Sequence, residues 1–172
     1  MTPEELIAEY TLIHAKSPVM DGNSTRKRRE EIAEFIDKVK PQTVLDYGCG
    51  KAGHYRDDRL HIYWGIEMPT LYDPAVEQFK IKPIGKFDAV LVVDVMEHLH
   101  PSKVDETLEE IMNYGGAVFF NIDTQPAIKK FKDGTNFHTT LESCEWWLNK
   151  LSKFNNQVEV YFDKEKEPRR KT

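Results

Sequence analysis

Four short stretches of this chain carry residues whose types and spacing suit chemistry. The first is Thr43-Val44-Leu45-Asp46-Tyr47-Gly48-Cys49-Gly50-Lys51-Ala52-Gly53, an apolar run that ends in a turn of small residues. Such a turn lets backbone N–H groups approach a ligand without side-chain interference, and the spacing of Gly48, Gly50 and Gly53 is literally G-x-G-x-x-G. Asp46, ahead of the first glycine, is a carboxylate that favours a cationic group and opposes a pyrophosphate. The second stretch offers two acids, Glu67 and Asp73. Either, at the end of a strand, could accept hydrogen bonds from both hydroxyls of a ribose. The third is Asp94-Val95-Met96-Glu97-His98-Leu99, and the fourth is the polar loop Asp133-Gly134-Thr135-Asn136-Phe137-His138. His138, Glu97, His98 and Asp94 are the candidate general bases, His138 foremost because an imidazole titrates near neutrality. For Glu97 and His98 the competing role is to orient the turn they sit in, and for His138 to order its loop. His14, His54 and His61 show no metal-ligand grouping, and Cys49 and Cys144 lie too far apart in sequence to suggest zinc, so no metal site is read.

The elements that must position these residues follow from pattern and punctuation. Thr2-Pro3-Glu4-Glu5 reads as a capped helix start, with Leu6, Ile7, Tyr10 and Ile13 at helical spacing. Ser17 to Asn23 reads as a loop. A second helix is expected from about Ser24 to Lys40, where Arg26, Lys27, Arg28 and Arg29 read as a solvated face. Thr43 to Tyr47 is a strand, Ala52 to Trp64 a helix, and a second strand is either Ile62 to Ile66 or Met68 to Tyr72. Phe87 to Val93 is apolar nearly throughout, as a parallel strand covered on both faces should be. Ser102 caps a helix carrying Val104, Leu108, Ile111 and Met112 inward, and Ala117 to Ile122 forms the next strand. A short helix is expected within Pro126 to Lys132. Leu141 to Leu151 is an amphipathic helix in which at least one of Trp146 and Trp147 belongs to the core. Val158, Val160 and Phe162 alternate with charged and polar neighbours and read as an antiparallel closing strand. The fold class expected is α/β: an open, mostly parallel, Rossmann-like sheet with helices on both faces and an antiparallel C-terminal strand.

Composition sets the outer bounds. The 172 residues suit one domain, with N-terminal helices over 1–40, the sheet core over 41–163 and a charged tail over 164–172. A net charge of −5 disfavours a general nucleic-acid binder. No apolar run approaches the roughly 20 residues that span a bilayer. The acidic start lacks a signal-peptide pattern, and two cysteines give no disulfide framework, so a cytoplasmic setting is expected.

Taken in order, V-L-D-Y-G-C-G-K, Y-D-P-A, F-D-A-V with D-V-M-E-H, D-G-T-N-F-H and the Trp146-Trp147 pair resemble the motifs of class I S-adenosylmethionine (SAM) methyltransferases. More closely, the chain resembles the small methyltransferase-like proteins of bacteriophages and some marine bacteria, over about residues 20–155. It implies the class I methyltransferase fold with a shortened C-terminal part, SAM as cofactor and S-adenosylhomocysteine (SAH) as product. It places Asp46, Gly48 and Gly50 at the methionine end of SAM, with Tyr47 and Lys51 in the same motif. Asp73, or alternatively Glu67, falls at the ribose, and Asp94 and Val95 near the sulfonium and methyl. The departure is at the third glycine of G-x-G-x-G, which is Ala52 here. The expected activity is methyl transfer to an unidentified acceptor, for which net acidity favours a small molecule. An inactive SAM- or nucleoside-binding interaction module and an NAD-type oxidoreductase are the alternatives.

Overall fold

The computed structural model describes residues 1–16 and 21–163; the charged tail lies outside them, as does most of the loop expected at 17–23. Five strands form one sheet: β1 (Val44–Tyr47), β2 (Thr70–Tyr72), β3 (Phe87–Val93), β4 (Gly115–Asp123) and β5 (Gln157–Asp163). Their order is β2-β1-β3-β4-β5, and every neighbouring pair is parallel. All the carboxyl ends therefore point to one edge of the sheet.

The strands bury both faces, and the period of two divides them. Leu45, Tyr47, Val90, Val92, Val118, Phe120 and Ile122 pack against α6 (Val104–Tyr114) and α7 (Cys144–Leu151). Val44, Ala89, Leu91, Val93, Ala117 and Phe119 face α3 (Arg29–Val39) and the single-turn helices α4 (Gly53–Arg56) and α5 (Leu60–Tyr63). Trp147 is fully buried while Trp146 is half-buried, so the tandem pair divides between core and rim.

The antiparallel C-terminal strand is corrected. β5 runs parallel to β4, from Ala117 opposite Gln157 to Asp123 opposite Asp163. The physical reason is α7, which returns the chain from the carboxyl end of β4 so that β5 enters in the same direction. The alternation of Val158, Glu159 and Val160 reflects a half-covered edge, and a parallel edge strand produces it as readily as an antiparallel one.

Other boundaries also moved. The expected second helix is two, α2 (Asn23–Lys27) and α3, separated where Arg28 leaves helical geometry at φ −98°, ψ 12°. The helix expected over 52–64 is broken at Arg59, which adopts a left-handed φ of 53°. Residues 126–132 form no helix and instead bridge through Lys130 and Asn136. His100, not Ser102, caps the turn before α6 by accepting from the Ser102 N–H. α1 (Pro3–Lys16) carries the expected reciprocal cap between Thr2 and Glu5, and lays Leu6 and Tyr10 against Ala75 and Phe131 at the carboxyl edge of the sheet.

Candidate functional site

At that edge lies a cavity of about 1580 Å³, roofed by α1 and α2 and floored by the loops that follow β1 to β4. In this strand order the neighbours of β1 lead off in opposite directions, which is the topological switch point where open α/β sheets take their ligands.

The turn after β1 is held in place by its own backbone. The N–H groups of Gly48 and Cys49 donate to the Tyr72 carbonyl at 2.7 and 3.1 Å, and that of Gly50 donates to Asp73 Oδ2 at 2.9 Å. Gly48, Gly50 and Ala52 all have left-handed φ, of 85°, 56° and 55°. A Cβ on Gly48 would meet Val95 Cγ2 at 2.3 Å, so glycine is required there for space as well as conformation. Ala52 thus adopts the backbone geometry of the glycine that the motif lacks.

Asp73 directly follows β2 and borders the cavity, whereas Glu67 is exposed before that strand and does not. Both Asp73 oxygens accept from backbone, Oδ1 from Ala75 N–H and Oδ2 from Gly50 N–H, each at 2.9 Å. Burial raises its carboxyl above the ordinary range, against the lowering effect of these N–H donors and nearby His14.

Asp46 is buried beneath the turn, 3.1 Å from His54 Nε2, and does not border the cavity. Lys51 likewise stays outside the border, while Tyr47, Gly48, Gly50, Val95, Asp94 and His138 all reach it. The basic run at 26–29 is largely neutralised: Arg26 pairs with Asp58, Arg28 with Glu31 and Asp163, and Arg29 with Glu30.

The loop that follows β3 gathers four chemical groups beside the cavity. β3 ends at Val93, and Asp94 turns out of the sheet with a left-handed φ of 59°, a conformation aspartate adopts more readily than most non-glycine residues. A turn of 3₁₀ helix, Met96–His98, brings Glu97 and His98 round beside it. The loop at 133–140 adds His138. Asn136 organises that loop, its Oδ1 accepting from Ala127 and His138 N–H groups, and Thr139 and Thr140 donate hydroxyls to the His98 and Leu99 carbonyls. Asp94, Glu97, His98 and His138 can each offer a ligand atom such that all four lie within 4.8 Å of one another.

Their electrostatics diverge. Burial favours a neutral Asp94, but His98 and the Ser24 hydroxyl beside it win and hold the carboxyl below its ordinary value. Burial and the Asp94 charge push Glu97 well up. Burial and neighbouring His98 lower His138, favouring the neutral imidazole. Sequence reasoning offers these four as alternative general bases and does not bring them to one point. The signal for the cluster was Asp94, Glu97 and His98 at i, i+3 and i+4 after a strand end, with a histidine in the loop following the next strand.

Comparison with known protein families, with characterised proteins and with solved structures gives no match. Among the described residues no helix is long and apolar enough to cross a membrane.

Proposed function

We propose that this protein is a methyltransferase that binds SAM over the glycine turn and transfers its methyl group to a second molecule held against the Asp94–His138 wall. The observation that carries the choice of cofactor is the engagement of the turn. The Gly48, Cys49 and Gly50 N–H groups, which a dinucleotide site would aim at a pyrophosphate, already donate to Tyr72 and Asp73. The anion position ahead of α4 is taken as well, since a Cβ on Gly53 would fall 2.2 Å from the Asp21 carboxylate. Such a site opposes phosphate and accommodates a cationic sulfonium compound. It supports SAM on grounds different from those offered by Asp46, whose carboxylate serves His54.

Methyl transfer from a sulfonium is a direct displacement, for which alignment and exclusion of water do most of the work. A cavity of about 1580 Å³ exceeds the roughly 300–1,000 Å³ of a single small-molecule site and has room for cofactor and acceptor together. Proton removal from a hydroxyl or amine acceptor falls to the Asp94–His138 wall, whether by His138 acting as base or by a bound cation polarising the acceptor. The acceptor side suits a small molecule, and two free thiols, Cys49 and Cys144, fit a reducing, cytoplasmic setting.

Titration calorimetry with SAM, SAH and NAD tests the cofactor: SAM and SAH should bind and NAD should not. NAD binding without SAM binding overturns the proposal. Release of SAH in the presence of candidate acceptors then separates an enzyme from a binding module.

A further inference from the structure

We infer that Asp94, Glu97, His98 and His138 form a binding site for one divalent transition-metal cation. The argument begins with what each side chain does with its other polar atom. His138 Nδ1 donates to the Gln125 carbonyl at 2.5 Å, which fixes the tautomer and leaves Nε2 as the free lone pair. His98 Nδ1 lies 3.1 Å from the Phe137 carbonyl and 2.8 Å from the Tyr10 hydroxyl, which itself donates to Phe137. Donation to that carbonyl assigns the proton to Nδ1, so His98 also presents Nε2, 3.7 Å from Asp94 Oδ1. Asp94 Oδ2 accepts from the Ser24 hydroxyl at 2.7 Å. Glu97 Oε1 accepts from the Asp123 N–H at 2.6 Å.

Each of the four thus has one polar atom tied to the protein behind it, and the remaining atoms face one another, with His98 and Glu97 against Asp94, around the point a shared ion would occupy. This is how protein metal sites are supported: a ligating histidine donates its other ring N–H to a carbonyl or carboxylate, and ligating carboxylates are themselves hydrogen-bonded.

The independent observation is Glu97 Oε2. Glu97 is fully buried, and among the described residues this oxygen has no hydrogen-bond partner. That leaves two carboxyl groups, Glu97 and Asp94, side by side in a buried place, and a cation between them would pair both.

The donor set narrows the ion. Two imidazoles and two carboxylates, with no thiolate, match neither the sulfur-rich sites of structural zinc nor the all-oxygen sites of magnesium and calcium, and suit a divalent transition metal that accepts nitrogen and oxygen together. Four protein ligands leave open positions on an ion that prefers six. Asp94, His98 and His138 border the cavity, so those positions face its interior. A cation there would bind and polarise an oxygen atom of whatever molecule shares the cavity. The site stands on its ligands and does not depend on the identity of the cofactor.

The test uses the full chain stripped with EDTA and titrated with MnCl₂, following free Mn²⁺ by electron paramagnetic resonance. One Mn²⁺ should bind per chain, and the thermal midpoint should rise with it. Pulsed resonance of the bound ion should show coupling to imidazole nitrogen. Glu97→Gln and His138→Gln should weaken binding by about 10–100-fold or more. The inference is overturned if the wild-type chain shows no saturable binding, if the bound ion lacks imidazole coupling, or if folded Glu97→Gln and His138→Gln chains bind as wild type does. The wild-type spectrum decides even where a variant fails to fold. SAH titrated in parallel keeps the two proposals apart: Mn²⁺ binding without SAH binding retains this site and removes the methyltransferase, and the reverse result does the opposite.

Discussion

At the scale of single residues, the glycine turn is governed by contacts within the protein. Gly48→Ala should destabilise the chain by about 2–4 kcal/mol, combining a left-handed alanine with overpacking against Val95. Adding Val95→Ala should recover the overpacking part but not the conformational part; urea denaturation of the single and double variants measures both. Asp46 yields a different expectation. Asp46→Ala strands the buried His54 Nε2 and should cost about 1–3 kcal/mol of stability. Because Asp46 does not border the cavity, SAH affinity should change little once the chain is folded. A large loss of affinity with unchanged stability would return Asp46 to a direct ligand role. The first motif was legible as a strand and turn, but not the partner of its acid. His54 lies in the helix after the turn, and no local pattern announces that its ring will reach back under the strand.

Among the elements, the start of β3 is clamped to the start of β1 by one carboxylate. Asp88 Oδ2 accepts from Gln42 N–H, Thr43 N–H and the Thr43 hydroxyl at 2.9, 2.8 and 3.0 Å. The Thr43 backbone, its hydroxyl and then the Gln42 backbone hold the Asp88 carboxyl below its ordinary value. A depressed folded-state carboxyl adds stability that is present above the unfolded value of about 3.9 and is lost as pH falls through the folded value. Asp88→Asn should therefore flatten the acid limb of the stability curve over that window, read from urea midpoints at stepped pH; an unchanged limb refutes the clamp.

Strand existence was readable because β3 and β4 are continuous apolar runs. Strand direction was not, because direction depends on where α7 delivers the chain. The two choices for the second strand were equally apolar. Arg59 and Gly65, both left-handed, end the preceding helical turns and leave Thr70–Tyr72 as the residues that pair with β1.

Taken whole, the molecule sets its cavity between the carboxyl edge of the sheet and a roof made of α1 and α2. Leu6, Tyr10, Ile13 and His14 of α1 border the cavity, so its contents should steady that helix. SAH at a hundredfold excess over its dissociation constant should add about 2.7 kcal/mol of stability. Hydrogen exchange should slow in α1 more than in α3, which packs on the sheet instead. A stabilised protein whose α1 exchanges as before would place the ligand elsewhere.

The all-parallel sheet has a kinetic consequence. Parallel neighbours cannot be joined by a hairpin, so every strand pair waits on a crossover of a dozen or more residues. Refolding should accordingly occupy the range of roughly milliseconds to seconds set by non-local topologies. β5 can dock only after β4 has formed, and its Val158, Val160 and Phe162 are exposed to other chains until then. Lys38 of α3 pairs with Glu159, and Arg28 with Asp163, tying that last strand to the helical layer. These two ion pairs therefore hold in place the edge strand at which a slowly folding chain would first meet a second copy of itself.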